Sequence, residues 1–434
     1  LNRLLHSFRR IGLTASDQAS RARHFFRSPL FPIFMIVFVD VLGTGITIPV
    51  LPLYAQDIFH ASPMQITLLT ATFFIAQSFA SPMLGRLSDR VGRRPVLILS
   101  QIGTFLALLL SGVAPALAFL YLARAIDGIT GGNISVAQAY LSDITEPSRR
   151  ARGLGIINAA FSSGFIFGPA FGALVASMWG PRMAYYLAAG ISVMTILLSV
   201  FLLPESLTPA RRAAIEQEKA ARPVSDRASN MFDLLRIPSV ILILFISFCG
   251  QIAFFCFQVI YVLWLQKAVL IGYSDTLVQQ IVGGILTLTG LAGIITQVWL
   301  VGPLVRHFGE QRMVIIGTFM REVAWIMMYF VPLLASSLIV SPLISSGAGV
   351  AMPALLALLT YAAPPDRRGQ SIGLMETIQN VGRVAGSVIA GVLFEKISPG
   401  APMLAAALFN TAALIASLAL LRMHIHKPED AVAA

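Results

Sequence analysis

Residues 146–168 read EPSRRARGLGIINAAFSSGFIFG, and 218 positions later residues 364–386 read PPDRRGQSIGLMETIQNVGRVAG. In this register Pro147 meets Pro365, Arg150 meets Arg368, Gly155 meets Gly373, Gly164 meets Gly382 and Gly168 meets Gly386. A second pair repeats at an offset of 217: GRLSDRVG from Gly85 lines up with GPLVRHFG from Gly302. Each copy joins a basic turn to a long apolar run. The chain therefore reads as an internal duplication of a hydrophobic unit.

The rest of the composition agrees. Of 434 residues, 56% are hydrophobic and only 12% are charged, against about 25% charged in soluble chains. An apolar run of about 20 residues crosses the hydrocarbon core as a helix, and only helices or closed barrels satisfy their backbone there. The alternation of a barrel strand is absent, so the runs are helices. Twelve can be traced, at about 31–53, 64–85, 95–114, 116–141, 153–178, 182–203, 238–266, 278–304, 312–332, 334–360, 369–394 and 401–422. The expected fold is an all-α membrane protein of twelve transmembrane helices in two six-helix halves. These halves span 31–203 and 238–422, with an N-terminal tail at 1–30, a central loop at 204–237 and a C-terminal tail at 423–434. Such duplicated halves suit a transporter that rocks around a site at its midplane.

A net charge of +11 invites a nucleic-acid partner, but its placement points elsewhere. Of the 31 Lys and Arg, 25 fall in the tails and loops of one side, among them Arg86, Arg90, Arg93, Arg94, Arg306, Arg312, Arg367 and Arg368. Arg182, Lys267 and Lys396 alone mark the other side, and Arg124, Arg321 and Arg383 fall inside spans. Glu322 stands beside Arg321, and Glu376 shares its span with Arg383. By the positive-inside rule both termini are cytoplasmic, and the charge is a topology signal rather than a nucleic-acid footprint. Residues 1–29 read as a basic tail, not a cleavable signal. The stretch TPARRAAIEQEKAAR of the central loop fits a short helix at the membrane surface or a plain linker. Cys249 and Cys256 lie seven residues apart in one run, about 10 Å along a helix, too far for a disulfide.

Four stretches carry chemistry. Between spans 2 and 3 stands Gly85-Arg86-Leu87-Ser88-Asp89-Arg90-Val91-Gly92-Arg93-Arg94. Gly85 and Gly92 permit a tight turn, and Asp89 can serve a neighbouring helix N-terminus; a merely basic loop explains neither. In span 4, Arg124 and Asp127 are three residues apart on one helix face. They fit a structural ion pair as well as a coupling role. In span 5, Gly164, Gly168 and Gly172 recur every four residues beside Pro169. This makes a smooth stripe for close packing and a bend. In span 1, VDVLGTGITIPVLPLY places Asp40 about 14 Å into the span, among Gly43, Gly45, Pro49 and Pro52, which interrupt helix regularity. Burial penalises a charged carboxylate, so one at this depth can exchange a proton.

Together these stretches resemble the major facilitator superfamily, and within it the proton-coupled drug exporters of the tetracycline and multidrug branch. The resemblance covers nearly the whole chain. It implies that Gly85, Asp89, Arg90, Gly92 and Arg93 form the cytoplasmic gate, with Asp89 latching onto the start of span 11 near Gly369–Ser371. It implies that Gly164, Gly168, Pro169 and Gly172 are an antiporter motif, and that Asp40, Arg124, Asp127 and Glu322 couple protons. The second copy has Arg306 in place of Asp89, so the latch is one-sided. Ala107 stands in span 3 where the tetracycline exporters carry an acid, which speaks against tetracycline itself.

Candidate pocket residues are Phe73, Gln77, Phe254, Gln258, Tyr261 and Trp325, although a Phe-rich face packed on its neighbours is the commoner use of such residues. No nucleotide loop, metal-ligand cluster or nucleophile elbow is visible. The expectation is a transporter, not an enzyme, without metal or cofactor and driven by an ion gradient. Its partners would be a small molecule, protons and the lipid of the plasma (inner) membrane, and its working unit a monomer. The alternatives are a proton-coupled uptake symporter and a non-transporting membrane receptor.

Overall fold

The computed structural model describes residues 30–131, 133–145, 150–207, 231–364 and 367–423. The N-terminal tail, most of the central loop with its expected surface helix, and residues from 424 onward lie outside the described residues.

Among the described residues the chain is helical, with no strand. Ten helices are long and apolar enough to cross a bilayer. They are span 1 (Leu30–Phe59), span 2 (Pro63–Val91), span 3 (Arg93–Val113), span 6 (Pro181–Leu202), span 7 (Pro238–Gln258), span 8 (Asp275–Ile295), span 9 (Glu310–Phe330), span 10 (Leu334–Ala362), span 11 (Arg368–Lys396) and span 12 (Ala401–Leu420). Span 5 is the helix Arg150–Trp179. Span 4 is two helices, Leu117–Thr130 and Asn133–Ile144.

Three spans depart from the continuous helices expected. Span 4 stops at Gly131, whose N–H bonds the Gly128 carbonyl. Span 7 breaks after Gln258, resumes at Tyr261–Trp264 and ends in a π-helical turn, Leu265–Val269. Span 8 passes through a second π-helical turn, Thr296–Leu300, into Val301–Phe308. Such turns insert a residue into the helical ladder and re-aim the chain beyond them. Span 1 departs the other way: it is a single helix through Pro49 and Pro52. Both prolines are buried, so neighbouring helices hold the backbone that the prolines loosen.

The packing repeats with the sequence. Span 1 packs on spans 5 and 6, span 3 on spans 4 and 6, and span 2 on span 4. Six spans later, span 7 packs on spans 11 and 12, span 9 on spans 10 and 12, and span 8 on span 10. Across the two sets, span 2 meets span 11 and span 5 meets span 8. Each of these crossings is the other's image under the repeat.

The glycine stripes explain the tightest seams. A Cβ on Gly168 would lie 2.7 Å from the Gly45 Cα, and one on Gly164 2.8 Å from the Leu42 nitrogen. A Cβ on Gly172 would overlap the Ile46 backbone. Gly45 and Gly43 therefore serve packing: Gly45 lies against span 5, and Gly43 against Ala188 of span 6. In the second set, a Cβ on Gly386 would lie 2.6 Å from the Ile252 carbonyl oxygen, and one on Gly382 3.0 Å from the Gln251 Cβ. Small residues let helix backbones approach where no hydrophobic effect drives them together.

The two faces of the bundle differ. Opposite the arginine-rich face, the Gln56 amide donates to Gln266 at 3.0 Å. The Glu395 carboxylate accepts from the Ser62 hydroxyl at 2.8 Å and from the Met64 N–H at 3.0 Å. Gly391 of span 11 sits against Met64 and Thr67 of span 2. Toward the arginine-rich face these crossings open: a Cβ on Gly85, Gly369 or Gly373 would meet nothing within 4 Å. The two sets thus touch at the far face, while these glycines border open space toward the basic one.

Candidate functional site

The first helix of span 4 carries the buried charges of the first set. Arg124 and Asp127 are 7% and 6% exposed, and Arg124 Nη2 lies 3.4 Å from the Asp127 carboxylate. Placing such charges at the bilayer centre costs about 2.5–3.5 kcal/mol each, or more. The partners only partly offset it: among the described residues no hydrogen bond reaches Arg124 Nε or Nη2. The guanidinium sits 6.0 Å from the Phe73 ring centroid. Thr104 of span 3 lies beside the Asp127 side chain. The Gln77 amide donates to the Gly131 carbonyl at 2.7 Å, holding the end of this helix to span 2. Asp40 is half-buried in span 1, and its backbone carbonyl accepts from the Thr44 hydroxyl at 3.2 Å. Of the two readings open for Arg124 and Asp127, the structure places them as an ion pair.

The second set treats its charges differently. Arg321 Nη2 donates to the Gly250 carbonyl of span 7 at 2.7 Å. The two Glu322 oxygens accept from Asn410 Nδ2 and the Thr411 hydroxyl of span 12, both at 2.8 Å. Asn410 also donates to the Thr318 carbonyl at 2.9 Å. These donors tie the Glu322 carboxylate of span 9 to span 12. Asn410 and Thr411 escaped the sequence reading, though both stand as polar residues inside the apolar run of span 12.

At the basic face the loop after span 2 forms a network. Asp89 pairs with Arg93 Nη1 at 2.7 Å, and Arg93 Nε with Asp143 at 3.1 Å. Glu205, at the end of span 6, accepts from the backbone N–H groups of Arg93 and Arg94 at 3.0 and 3.2 Å, capping span 3. Gly92 turns the chain with φ of 123°, a left-handed region that favours glycine. Gly85 takes no part in the turn; it lies inside span 2. Arg90 is exposed beside the network. Asp143 and Glu205 were not anticipated, since both are remote in sequence from the loop they hold.

Between the two sets, Arg383 of span 11 lies 5.3 Å from the ring centroid of Phe74 in span 2. Phe74 meets Phe255 of span 7 edge-on at 5.0 Å. Phe254 packs edge-on against Phe255 and, like Gln258, is half-buried. Tyr261 and Trp325, expected at a pocket wall, are wholly buried instead. Phe257 packs on both, at 4.5 and 4.9 Å, and the Tyr261 hydroxyl bonds Ser341 at 2.8 Å. Cys249 and Cys256 are buried free thiols.

A membrane-crossing bundle of two repeated sets, joined at one face and carrying charges buried within its spans, has the layout of a solute carrier. The sequence model of the Major Facilitator Superfamily matches residues 33–299 and 243–433. The chain is 30% identical over 371 residues to the tetracycline resistance protein, class C, of Escherichia coli, covering 84% of this chain and 89% of that protein. It is also 30% identical over 367 residues to multidrug resistance protein 2 of Bacillus subtilis, covering 83% and 87%. The crystal structure of the human organic anion transporter MFSD10 superposes with a TM-score of 0.66 at 22% identity, covering 91% of this chain and 99% of that one. The nucleoside transporter NupG gives 0.71 at 14% identity, covering 92% and 100%. The chain belongs to the Major Facilitator Superfamily; it is a multi-pass membrane transporter of small molecules, not an enzyme.

Proposed function

We propose that the protein exports small amphipathic, drug-like compounds in exchange for protons. It would do so as a monomer in the plasma (inner) membrane, with both termini cytoplasmic. The observation that carries this reading is the buried, incompletely bonded Arg124–Asp127 pair, in a chain whose relatives include tetracycline and multidrug resistance proteins. A carrier that merely recognised apolar compounds would gain nothing from burying these charges.

Asp127 and the half-buried Asp40 are the groups we assign to proton exchange. With Asp127 charged, Arg124 is held to it. Protonating Asp127 removes that partner and leaves the guanidinium its Phe73 ring. Phe73 meets Phe74 edge-on at 5.1 Å, and Phe74 lies under Arg383 across the passage. A shift at Arg124 thus has a packed route to the contact between the two sets, through elements that both sites can bias. The proton moving down its gradient supplies the drive, about 2.3 kcal/mol per elementary charge per 100 mV. When the basic face closes, we assign Asp89 a change of partner, from Arg93 to the start of span 11 near Gly369–Ser371. The seam of Gly164, Gly168 and Gly172 against span 1 keeps the first set rigid as it rocks, with Pro169 inside the same helix.

Efflux of a panel of drugs and dyes from cells stripped of their own exporters tests this. Expression should lower accumulation, and an uncoupler should restore it. Efflux that survives the uncoupler, or no efflux of any compound, overturns the reading.

A further inference from the structure

Arg321, in the middle of span 9, is 5% exposed. Its guanidinium is anchored at one corner, where Nη2 donates to the Gly250 carbonyl of span 7 at 2.7 Å. Its Nε makes no hydrogen bond among the described residues. Asn410 of span 12 is wholly buried. Its Nδ2 donates to the Thr318 carbonyl at 2.9 Å and to Glu322 Oε2 at 2.8 Å. Both partners are acceptors, so they fix which way the amide points and turn Oδ1 to the other side. That Oδ1 makes no hydrogen bond among the described residues either. A buried donor and a buried acceptor are thus left over on two packed helices, and each costs free energy when it stays unmet.

Arg321 and Asn410 line one cavity of about 10 Å³ between spans 7, 9, 10 and 12. Ser247 of span 7 adds a further polar side chain to its lining, and Leu355 and Ala413 are among its apolar walls. A cavity of this size takes one water molecule and no larger solute. Its polar lining selects the same molecule. An anion would meet the Asn410 oxygen, a metal cation would meet the guanidinium, and an apolar atom would satisfy neither. Water accepts from the Arg321 Nε–H and donates to Asn410 Oδ1, and its second O–H can reach the Ser247 hydroxyl.

We infer that this cavity is the site of one ordered water, which bridges Arg321 to Asn410 and forms part of the fold of the second set. The bridge closes a chain that runs from Gly250 of span 7 through Arg321 and the water to Asn410 of span 12, and on to Glu322 of span 9. It holds three spans together. It also joins a buried guanidinium and a buried carboxylate, neighbours in sequence with separate protein partners, in one hydrogen-bonded network. The site goes beyond the export reading and does not depend on it, because the cavity is too small to pass a solute.

A cryo-EM map of the purified full chain in lipid nanodiscs, at a resolution that shows ordered waters, tests the site directly. One peak should lie within about 3.2 Å of both Arg321 Nε and Asn410 Oδ1. The lack of a peak there, in a map that resolves other interior waters, overturns the inference. Two substitutions of Ala413, in the cavity wall, test it by a second route. Val and Thr have nearly the same shape, but only Thr offers a hydroxyl in the water's place. In a hydrated site Ala413→Val excludes the water and leaves both polar atoms unmet, so it should melt below Ala413→Thr, by about 2 °C. In a dry site the order reverses, since Val fills the space without burying a hydroxyl. Ala413→Val melting at or above Ala413→Thr therefore overturns the inference.

Discussion

Spans 3 and 9 begin at equivalent points of the repeat, yet different chemistry holds each start. Gly92 and Gly309 precede them with φ of 123° and 77°. At span 3 the tie is ionic: Glu205 caps the helix, and Arg93 bridges Asp89 and Asp143. At span 9 the tie is neutral: the Gln311 amide donates to the Leu420 and Met423 carbonyls at 3.0 and 2.9 Å. Arg306, standing where Asp89 would be, bonds back to Gly302 in its own helix at 3.3 Å. Both ties join the same pair of seams, span 3 to span 6 and span 9 to span 12. The duplication dictates where elements must be joined and leaves the means free. A charge at a wet face can exchange one ionic partner for another at small cost, whereas an amide fixed on two carbonyls has only water to turn to. Among the buried charges, Arg124 and Arg321 each keep an unbonded guanidinium nitrogen, whereas both Glu322 oxygens are bonded. At these two helix starts the first set uses ion pairs and the second an amide.

Neutralising a carboxylate on each side should break this contrast most visibly if it is mistaken. Asp40→Asn is expected to reduce uncoupler-sensitive dye efflux to background at normal expression. Glu322→Gln is expected to keep that efflux and to show its loss as a lower melting temperature. The reverse ranking would place coupling in the second set. The glycine seams sharpen the opposite point, where the sets should agree. Gly168→Ala and Gly386→Ala each press a methyl against backbone, and each should cost about 1–3 kcal/mol in thermal unfolding. A gap between them above about 2 kcal/mol would end the equivalence of the seams. The ties at spans 3 and 9 come next. Glu205→Gln should cost about 1–2 kcal/mol, and Gln311→Ala about 1 kcal/mol or less. A larger loss for Gln311→Ala would make the neutral tie the stronger one.

The legibility of these features in the sequence depends on how local each signal is. The glycines at matching offsets foretell the seams, because close helix approach admits few residue types and leaves a period of four. The long apolar runs foretell the fold, because lipid forbids most other structures. The prolines of span 1 mislead, because burial by neighbours, which no local pattern records, decides that the helix continues. Glu205 is invisible as a cap, since a carboxylate 112 positions from its target has no spacing to read. Tyr261 and Trp325 are ambiguous in sequence because a buried aromatic and a pocket aromatic have the same spacing.

Gly373 should give the smallest effect on stability and the most direct report on the open face. Nothing lies within 4 Å of a Cβ placed there, so Gly373→Ala should change melting by no more than about 1 kcal/mol, in the stabilising direction that helix propensity favours. With Cys249 and Cys256 buried, Gly373→Cys supplies a single accessible thiol. A charged, membrane-impermeant maleimide added to inside-out vesicles should label it rapidly, because only a wet passage lets the thiol ionise and the reagent reach it. Substrates or gradients that close the basic face should then slow the labelling, as Asp89 moves toward the start of span 11. A site that faced lipid would stay unlabelled in every state, and the passage would have to be redrawn on the other side of span 11.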